Sequence, residues 1–299
     1  MNKYLKKLLP LYQKMGVSLI PNRYEEPVPD LRELENFSWD KEGSLGGIEL
    51  KLEKQAALLN RITPKYLDEF RSLPQEKTQP PEVEEYHHTN PSFRGADAGF
   101  YYCLIRHLKP RRIIEIGAGF STLLAAHAVV KNAKEKKPCR LTAIEPYPSR
   151  TLREGVPGIA RLLETNVQKV PLSEFGSLES GDILFVDSSH ILRTGSDVQM
   201  EFLEILPRLK KGVYAHFHDI FLPMDYPRKL VMEDFKFYNE QYLLQAFLSF
   251  NREFEVIWAG QAMLLKKAEL IEKHFGEFFG GKDASERYWR SVSFWIRRK

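Results

Sequence analysis

Cysteine is scarce in this sequence, and its scarcity excludes two classes of protein. The 299 residues include only two cysteines, Cys103 and Cys139. Two are too few for a disulfide-stapled scaffold, and they lack the partner spacing of a zinc knuckle. Because such usage is typical of a reducing compartment, we expect a cytoplasmic protein.

Long apolar runs are also missing. Charges or prolines interrupt every hydrophobic stretch before it reaches the roughly 18 residues that a membrane span needs. The N-terminal segment MNKYLKKLLPLYQKMGVSLIP has no apolar core of the kind found in a secretory signal. We interpret it as a solvated helix face, with a short amphipathic helix lying on a membrane surface as the alternative. We therefore expect no membrane span.

The chain has little excess charge of either sign. Its 44 Lys and Arg residues stand against 40 Asp and Glu residues, which gives a net charge of +4. So small and evenly spread a charge does not point to nucleic acid as the main partner. Acidic or neutral ligands stay open, and so does a homo-oligomer.

Seven apolar runs predict strands. They are RIIEI (Arg112–Ile116), runs that end at Glu145, Glu164, Asp187, Asp219 and Ala259, and SFWIRR near the C-terminus. The first five alternate with helical segments such as STLLAAHAVVKNA, which is the layout of βαβ units. We predict an α/β fold with a Rossmann-like, doubly wound, mostly parallel seven-stranded sheet in residues 97–299. Residues 1–96 would form an N-terminal helical extension.

The spacing of apolar residues predicts the positions of two helices. One helix covers Ile48–Ile62, and another begins after Ser196 as its N-cap and ends before Gly212. Between the extension and the sheet lies a Pro-rich and acidic loop, residues 72–95, that either links segments or covers a pocket. Its histidines, His87 and His88, are expected to be exposed unless the loop folds over that pocket.

A glycine-containing motif, EIGAGFST, runs from Glu115 to Thr122 at the end of the first strand. Gly117 and Gly119 permit close approach of a ligand, and Ser121 can cap a helix whose N–H groups attract an anion. The glycines could instead only make a tight turn. The strand before them and the acid after the next strand favour a nucleoside-type cofactor.

That acid is Glu145, which ends the second strand and precedes Pro146. A carboxylate there can accept hydrogen bonds from both hydroxyls of a ribose, although a plain surface charge is the alternative. A dinucleotide fingerprint would place Gly or Ala where Thr122 stands, so NAD is disfavoured.

Acids and histidines follow the fourth and fifth strands and should meet at the rim of the sheet: Asp187, His190, His216, His218 and Asp219. Asp187, His218 and Asp219 could ligate a divalent ion such as Mg²⁺. Alternatively, His190 or His218 could act as a base beside Asp187. A plainer alternative is that the acids cap loops and the histidines bond to the backbone.

The segments EIGAGFST, ILFVDSSHILRTGSDV, HFHDIFLPMDYP and SFWIRR together resemble the methyltransferase 24 type of class I S-adenosylmethionine-dependent methyltransferases. This resemblance implies S-adenosylmethionine over the carboxyl ends of the strands. Its methionine part would lie near Glu115 and Gly117, its ribose on Glu145, and its adenine near Asn166 and Val167. The implied cofactor site also includes Ala118, Gly119, Ser121, Thr122, Pro146 and Asp187.

The resemblance implies methyl transfer to a small-molecule acceptor, most simply to an oxygen atom. Two alternatives stay open at this point. The same fold could carry metal-dependent chemistry other than methyl transfer, or the protein could bind the cofactor without catalysis.

Overall fold

All seven predicted strands are present in the sheet of the computed structural model. The structure describes residues 11–18, 25–80, 83–279 and 291–299. The strands are β1 (Arg112–Ile116), β2 (Arg140–Ile144), β3 (Ile159–Leu163), β4 (Ile183–Val186), β5 (Tyr214–Phe217), β6 (Phe254–Ala259) and β7 (Phe294–Arg298). The predicted α/β fold class is thereby confirmed.

The strand order, β3-β2-β1-β4-β5-β7-β6, makes the sheet doubly wound. The first five strands are parallel, and β7 runs antiparallel to both β5 and β6. The chain steps outward from β1 to β3 and then returns to β4 on the other side of β1. Because the strand order reverses there, a crevice opens beyond the carboxyl ends of β1 and β4, where Ile116 pairs with Val186.

Helices cover both faces of this sheet, with α1 to α3 on one face and α6 and α8 on the other. In the part of the chain that the structure describes, the helices are α1 (Leu52–Arg71), α2 (Gly95–Leu108), α3 (Phe120–Lys134), α4 (Arg150–Glu154), α5 (Leu172–Phe175), α6 (Asp197–Met200), α7 (Arg228–Met232), α8 (Glu240–Leu248), α9 (Gly260–Lys266) and α10 (Ala268–Phe275). Neighbouring strand residues enter different cores: Ile113 packs with residues of α1 to α3, and Ile114 with residues of α6 and α8. The strands are apolar on both sides because both sides are buried.

The predicted helix at Ile48–Ile62 has the wrong bounds. The helix α1 begins at Leu52 because Lys51, with φ of +54°, has a left-handed backbone that cannot belong to a right-handed helix. It also continues through Pro64 to Arg71. Apolar spacing therefore located the buried face, including Leu59 and Ile62, but not the ends.

The predicted cap at Ser196 is confirmed: its Oγ accepts a hydrogen bond from the N–H of Gln199 at 3.1 Å. The α-helical part that follows is short. After Met200 the segment winds as a π-helix over Glu201–Ile205 and as a 3₁₀-helix over Leu206–Arg208. Single π turns occur often at functional sites, and this one carries a fully buried acid, Glu201.

The chain divides into two compact units. One consists of Met1–Lys41 with Tyr226–Phe237, and the other of Glu42–Asp225 with Tyr238–Lys299. The whole sheet belongs to the second unit. The predicted boundary at residue 97 stays a prediction. Among the described residues, no helix is long and apolar enough to cross a membrane.

Candidate functional site

The turn after β1 brings the glycine motif against the end of β4. Gly117 has φ of +84°, and a Cβ atom there would lie only 1.9 Å from the carbonyl oxygen of Asp187. Its N–H donates to the carbonyl of Ile144 at 3.0 Å, while the N–H of Asp187 donates to the carbonyl of Ile116 at 2.9 Å. Gly117 is therefore required both by its backbone conformation and by this close approach.

The start of α3 corrects one expectation. Ser121 does not cap the helix, because its hydroxyl donates to the carboxyl of Glu115 instead. The residue before the helix is Gly119, whose N–H donates to the Thr122 hydroxyl at 3.0 Å. The Ser121 hydroxyl bonds to Glu115 because a buried carboxyl without a hydrogen-bond donor costs free energy of folding.

Glu115 is a buried acid beside the predicted cofactor site. Burial raises its pKa to about 8, despite the hydrogen bonds from Ser121 and Thr122 that favour the ionised form. Its Oε2 has no hydrogen-bond partner among the described residues. The carboxyl is thus largely neutral at pH 7 and retains an oxygen that could accept a further donor.

Glu145 holds the neighbouring backbone together. Its Oε2 accepts the N–H of Ala118 at 3.1 Å, and its Oε1 accepts the N–H of Tyr147 at 2.8 Å. The side chain therefore ties the glycine turn to the end of β2. Because each carboxylate oxygen has two lone pairs, both oxygens can still accept a ligand hydroxyl.

A cleft of about 400 Å³ opens over the carboxyl ends of β1, β2 and β4. Six residues of the predicted cofactor site line it: Gly117, Glu145, Pro146, Asn166, Val167 and Asp187. The other five do not line it: Glu115, Ala118, Gly119, Ser121 and Thr122. The sequence therefore predicted the position of the cleft, although five of the eleven predicted cofactor residues do not line it.

At the rim of the sheet, two imidazoles and two carboxylates alternate. The Nε2 of His190 lies 3.3 Å from Oδ1 of Asp187 and 3.5 Å from Oδ2 of Asp219. The Nδ1 of His218 lies 3.9 Å from Oδ2 of Asp187 and 3.4 Å from Oδ1 of Asp219. We call these four residues, with Glu240 behind them, the rim cluster. The expected meeting of the four predicted side chains is observed.

The outer nitrogen of each imidazole faces a further acid. Nδ1 of His190 lies 2.8 Å from Oε2 of Glu240, at the start of α8. Nε2 of His218 lies 3.7 Å from Oδ2 of Asp97, in the first turn of α2. Neither acid was predicted, because each comes from a helix distant in sequence and no motif marks it.

The surrounding acids favour the protonated form of both histidines. Burial alone would lower the pKa of His190, but hydrogen bonds to Asp187 and Glu240 outweigh it and hold that pKa well above its ordinary value. For His218, burial is likewise outweighed by the negative charges of Asp187, Asp219 and Asp97, which raise its pKa well above the ordinary value. The acids of the rim cluster therefore favour the imidazolium form of both rings over the neutral form.

His216 does not belong to this rim. It is fully buried, its ring stacks on Phe185 at 3.8 Å, and its Nε2 lies 2.9 Å from the hydroxyl of Ser293. Burial lowers its pKa well below the ordinary value, helped by the charge of His218. His216 is a neutral core residue.

The predicted metal site was tested against the same geometry. Within the described ranges, no three side chains of His, Cys, Asp or Glu place their donor atoms so that they could hold a metal ion. The ring nitrogens face the carboxylate oxygens of Asp187 and Asp219 at 3.3–3.9 Å, so the acids are paired with imidazoles rather than grouped around a common centre. Asp187, His218 and Asp219 therefore do not fit a resident metal ion in this arrangement.

The loop before α2 lies against the start of α3. The ring of His87 meets that of Phe120 edge-on at 5.7 Å, and the N–H of Glu84 donates to the hydroxyl of Thr151 at 2.8 Å. The expectation of exposed histidines is wrong, since His87 is 9% and His88 3% exposed. His88 is buried among aromatic rings, including Phe70 at 4.6 Å.

Several polar side chains that line the cleft were not predicted as site residues, among them Ser188, Ser189, Arg193 and Asp197. Ser188 and Ser189 directly follow β4, so their position after a parallel strand was a usable signal. Arg193 and Asp197 depend on the path of the loop into α6, which the sequence does not specify.

Known proteins resemble this chain in sequence and in fold. A family model described as a methyltransferase domain, methyltransferase 24, matches residues 114–220. An uncharacterised protein of Archaeoglobus fulgidus is 33% identical over 184 residues, which cover 57% of this chain and 78% of that protein.

Two solved structures resemble the fold at low identity. An O-methyltransferase from Bacillus cereus in complex with S-adenosylhomocysteine is 12% identical, with 99% of this chain and 100% of that chain covered and a TM-score of 0.38. The S-adenosylhomocysteine-bound methyltransferase PaMTH1 of Podospora anserina is 15% identical, with 95% and 99% covered and a TM-score of 0.37.

Both TM-scores are under 0.5, so the fold assignment rests on the strand order itself. The matched residues 114–220 run from β1, through the glycine turn and the second and third strands, to the end of β5 at the rim cluster. The sequence match thus covers the same elements that build the cleft. The chain belongs to the methyltransferase 24-like family of class I S-adenosylmethionine-dependent methyltransferases.

Proposed function

We propose that this protein transfers a methyl group from S-adenosylmethionine to an oxygen atom of a small molecule. One observation carries the proposal: the cleft lies at the point where the strand order reverses, and Glu145 and the Gly117 turn lie at its edge. Ligands of open α/β sheets bind at this point. A volume of about 400 Å³ lies within the range of small-molecule and cofactor sites.

The polar groups around the cleft fit the two ends of this cofactor. Glu145 would accept the ribose hydroxyls, with the adenine beside Asn166 and Val167. The partnerless Oε2 of Glu115 suits a donor such as the ammonium of the methionine part. Gly117 lacks a side chain where the backbone must approach closely.

When bound, S-adenosylmethionine supplies an electrophilic methyl group. The chain then has to orient the acceptor and remove or mask its proton. Asp187 lines the cleft and contacts both histidines of the rim cluster. This connection between cleft and rim cluster supports a role for Asp187 in holding the acceptor, with His190 or His218 taking its proton.

The cofactor assignment is tested by thermal unfolding of the full chain with S-adenosylhomocysteine or NAD. A ligand at about 100 times its dissociation constant adds roughly 2.7 kcal/mol to the free energy of unfolding. We expect S-adenosylhomocysteine to raise the midpoint by several degrees and NAD to leave it unchanged. A shift with NAD alone would contradict the proposal.

A further inference from the structure

The rim cluster contains two histidines, and the geometry around them is unequal. We infer that the proton of the acceptor passes to Nε2 of His190, and that Glu240 is the positioning residue that orients this imidazole. The inference rests on the proposed function and deepens it, since it chooses between His190 and His218 and adds a residue that no sequence motif marks.

Glu240 holds His190 at two points. Its carboxylate Oε2 lies 2.8 Å from Nδ1 of the ring, and its backbone N–H donates to the carbonyl of His190 at 3.2 Å. Both residues are buried, at 1% and 6% exposure. With Nδ1 held by Glu240, the ring can turn only one nitrogen, Nε2, toward Asp187 and the cleft.

The backbone of His190 is held in an uncommon conformation. Its φ is +60°, in the left-handed region that few non-glycine residues adopt. Such outliers persist where surrounding contacts impose them, and they concentrate at functional sites. Here the contacts come from α8, because the carbonyl of His190 also accepts the N–H of Asn239 at 3.1 Å.

Nε2 of His190, which faces Asp187 and Asp219, makes only long contacts that a substrate group could replace. Its distances to Asp187 and Asp219, 3.3 and 3.5 Å, exceed the roughly 2.7–2.9 Å of a charge-assisted hydrogen bond. An acceptor hydroxyl held by Asp187 could therefore replace one of these long contacts. By contrast, the 2.8 Å contact to Glu240 is a full hydrogen bond and would persist.

His218 is less suited to this task. Its outer nitrogen lies 3.7 Å from Asp97, beyond hydrogen-bond length. Asp97 is already committed to the fold, because it accepts hydrogen bonds from Ser291 Oγ and from the N–H groups of Val292 and Ser293 at 2.8–3.1 Å. The carboxylates around His218 lie 3.4–3.9 Å from its ring nitrogens, so none of these three holds the ring as closely as Glu240 holds that of His190 at 2.8 Å.

A second buried acid lies behind Glu240. Glu201, in the π-helical segment, accepts a hydrogen bond from the Ser188 hydroxyl at 3.2 Å. Burial and the charges of Glu240 and Asp197 raise the pKa of Glu201 well above its ordinary value. Burial also raises the pKa of Glu240, but the hydrogen bond and charge of His190 favour its ionised form, and Glu201 has no hydrogen bond to a histidine among the described residues. Glu240 can then be the ionised member of this pair and stabilise the imidazolium of His190.

The acceptor oxygen forms a bond to the methyl carbon, the bond from sulfur to that carbon breaks, and its electron pair stays on sulfur. The O–H proton moves to Nε2 of His190, and Glu240 stabilises the resulting charge through Nδ1–H. Solvent removes the proton after the products leave.

The base must be neutral before it accepts a proton, and this requirement predicts the pH dependence. Asp187, Asp219 and Glu240 face the imidazole, the ring of Tyr238 packs on it at 4.7 Å, and Glu201 lies behind Glu240. The three acids favour the imidazolium, so methyl transfer should increase toward alkaline pH. Removing the charge of Glu240 lowers the pKa of His190 and should move this increase to lower pH.

The test compares wild type with Glu240→Gln, which keeps the shape of the side chain and removes its charge. Methyl-labelled S-adenosylmethionine is mixed with the small-molecule fraction of a cell extract, and label transfer is followed from acid to alkaline pH. We expect a fall of about 100-fold, within the 10²–10⁴ range of general-base catalysis, and a rising limb displaced to lower pH. The control is Glu204→Gln, which makes the same change at an exposed acid in the π-helical segment Glu201–Ile205 and should behave as wild type.

Two further measurements separate positioning from folding. S-adenosylhomocysteine should bind Glu240→Gln as tightly as wild type, which shows that the cleft is intact. Nitrogen NMR of histidine-labelled protein should show that the His190 ring loses its second proton at lower pH in the variant. Unchanged His190 signals at every pH would overturn the inference.

The outcomes also distinguish this inference from the proposed function. No label transfer by wild type would contradict the proposed function and, with it, the base assignment. Transfer that is equal in wild type and Glu240→Gln at every pH would overturn the assignment of His190 and Glu240 alone.

Discussion

Two groups of buried charge in this fold are built on different principles. In the first, Arg106 of α2 is 2% exposed, and its guanidinium donates to Glu69 at 2.8 and 3.1 Å and also to Glu135 and Asn132. The hydroxyl of Tyr102 donates to the same Glu69 at 3.2 Å. We call this group the Arg106 cluster.

The rim cluster is less fully bonded. Its contacts between histidines and aspartates span 3.3–3.9 Å, and one oxygen of Glu240 is buried without a hydrogen-bond partner among the described residues. Two of its residues, His190 and Asp219, have left-handed φ values of +60° and +54°. Strain and incomplete bonding both cost stability.

The buried charges of the Arg106 cluster stabilise the fold, whereas those of the rim cluster are arranged to bind a substrate group. A buried charge with all its partners in place holds elements together, and in the Arg106 cluster those elements are α1, α2 and the end of α3. A buried cluster that leaves donors and acceptors incompletely paired can accept a substrate group. Its residues should therefore affect methyl transfer more than folding.

The largest expected effect is on the Arg106 cluster. Arg106→Met removes the cation shared by Glu69, Glu135 and Asn132 and should lower the free energy of unfolding by about 3 kcal/mol, the scale measured for broken buried ion pairs. Denaturant unfolding measures this change. The control is Arg150→Met, which removes an exposed pair with Glu154 worth about 0–1 kcal/mol. Equal losses in the two variants would remove the distinction between the clusters.

In the rim cluster, we expect Asp219→Asn to lower methyl transfer and to leave stability nearly unchanged. Asparagine tolerates the left-handed backbone, and the change removes one of several neighbouring negative charges. We expect label transfer to fall by roughly 10- to 100-fold, as for loss of a group that orients a reactant, with little change in the unfolding midpoint. Lost stability with unchanged transfer would make this cluster structural.

A smaller effect is expected at the nucleoside end of the cleft. Glu145→Gln should weaken S-adenosylhomocysteine binding about tenfold, because a hydrogen bond to a charged group contributes about 1.5–3 kcal/mol before water compensates. Titration calorimetry measures the affinity. Glu164→Gln, which alters an exposed acid just after β3, should bind as wild type does. Equal affinity in the two variants would move the ribose elsewhere.

The smallest effect concerns pH and Glu115. With a pKa raised to about 8 by burial, this carboxyl is mostly neutral near pH 6 and half-ionised near pH 8. Since an ammonium favours the ionised form, the affinity for S-adenosylhomocysteine should rise severalfold over about that range, with proton release on binding. The sign for folding is opposite: the stability associated with the raised pKa is present below about pH 4.5 and is lost as pH rises through about 8. A Glu115→Gln variant with the same pH dependence of affinity as wild type would contradict this role.

The sheet and the cleft were predictable from the sequence because their signals are local. Apolar runs marked all seven strands, and parallel strands bring their carboxyl ends to one edge. Gly117 and Glu145 followed directly from that placement. Even His190 and His218, which follow the fourth and fifth strands, could be assigned to the same rim of the sheet.

The contacts that organise the rim were not predictable in this way. Glu240 lies 50 residues beyond His190, and its contact with that ring depends on how α8 packs. The start of α1 was misplaced because the left-handed Lys51 carries no sequence signal. His88 was expected to be exposed, yet aromatic side chains from α1 and from residue 278 enclose it. Long-range packing decides each of these cases.

The most direct test of the account is methyl transfer by Asp187→Asn, since Asp187 both lines the cleft and contacts the two histidines. Transfer from labelled S-adenosylmethionine to small molecules of a cell extract would be compared with wild type. We expect transfer by wild type, a loss of about 100-fold or more in the variant, and similar S-adenosylhomocysteine affinity in both. Full transfer by Asp187→Asn would contradict a role of Asp187 in methyl transfer and would place the chemistry away from the rim cluster.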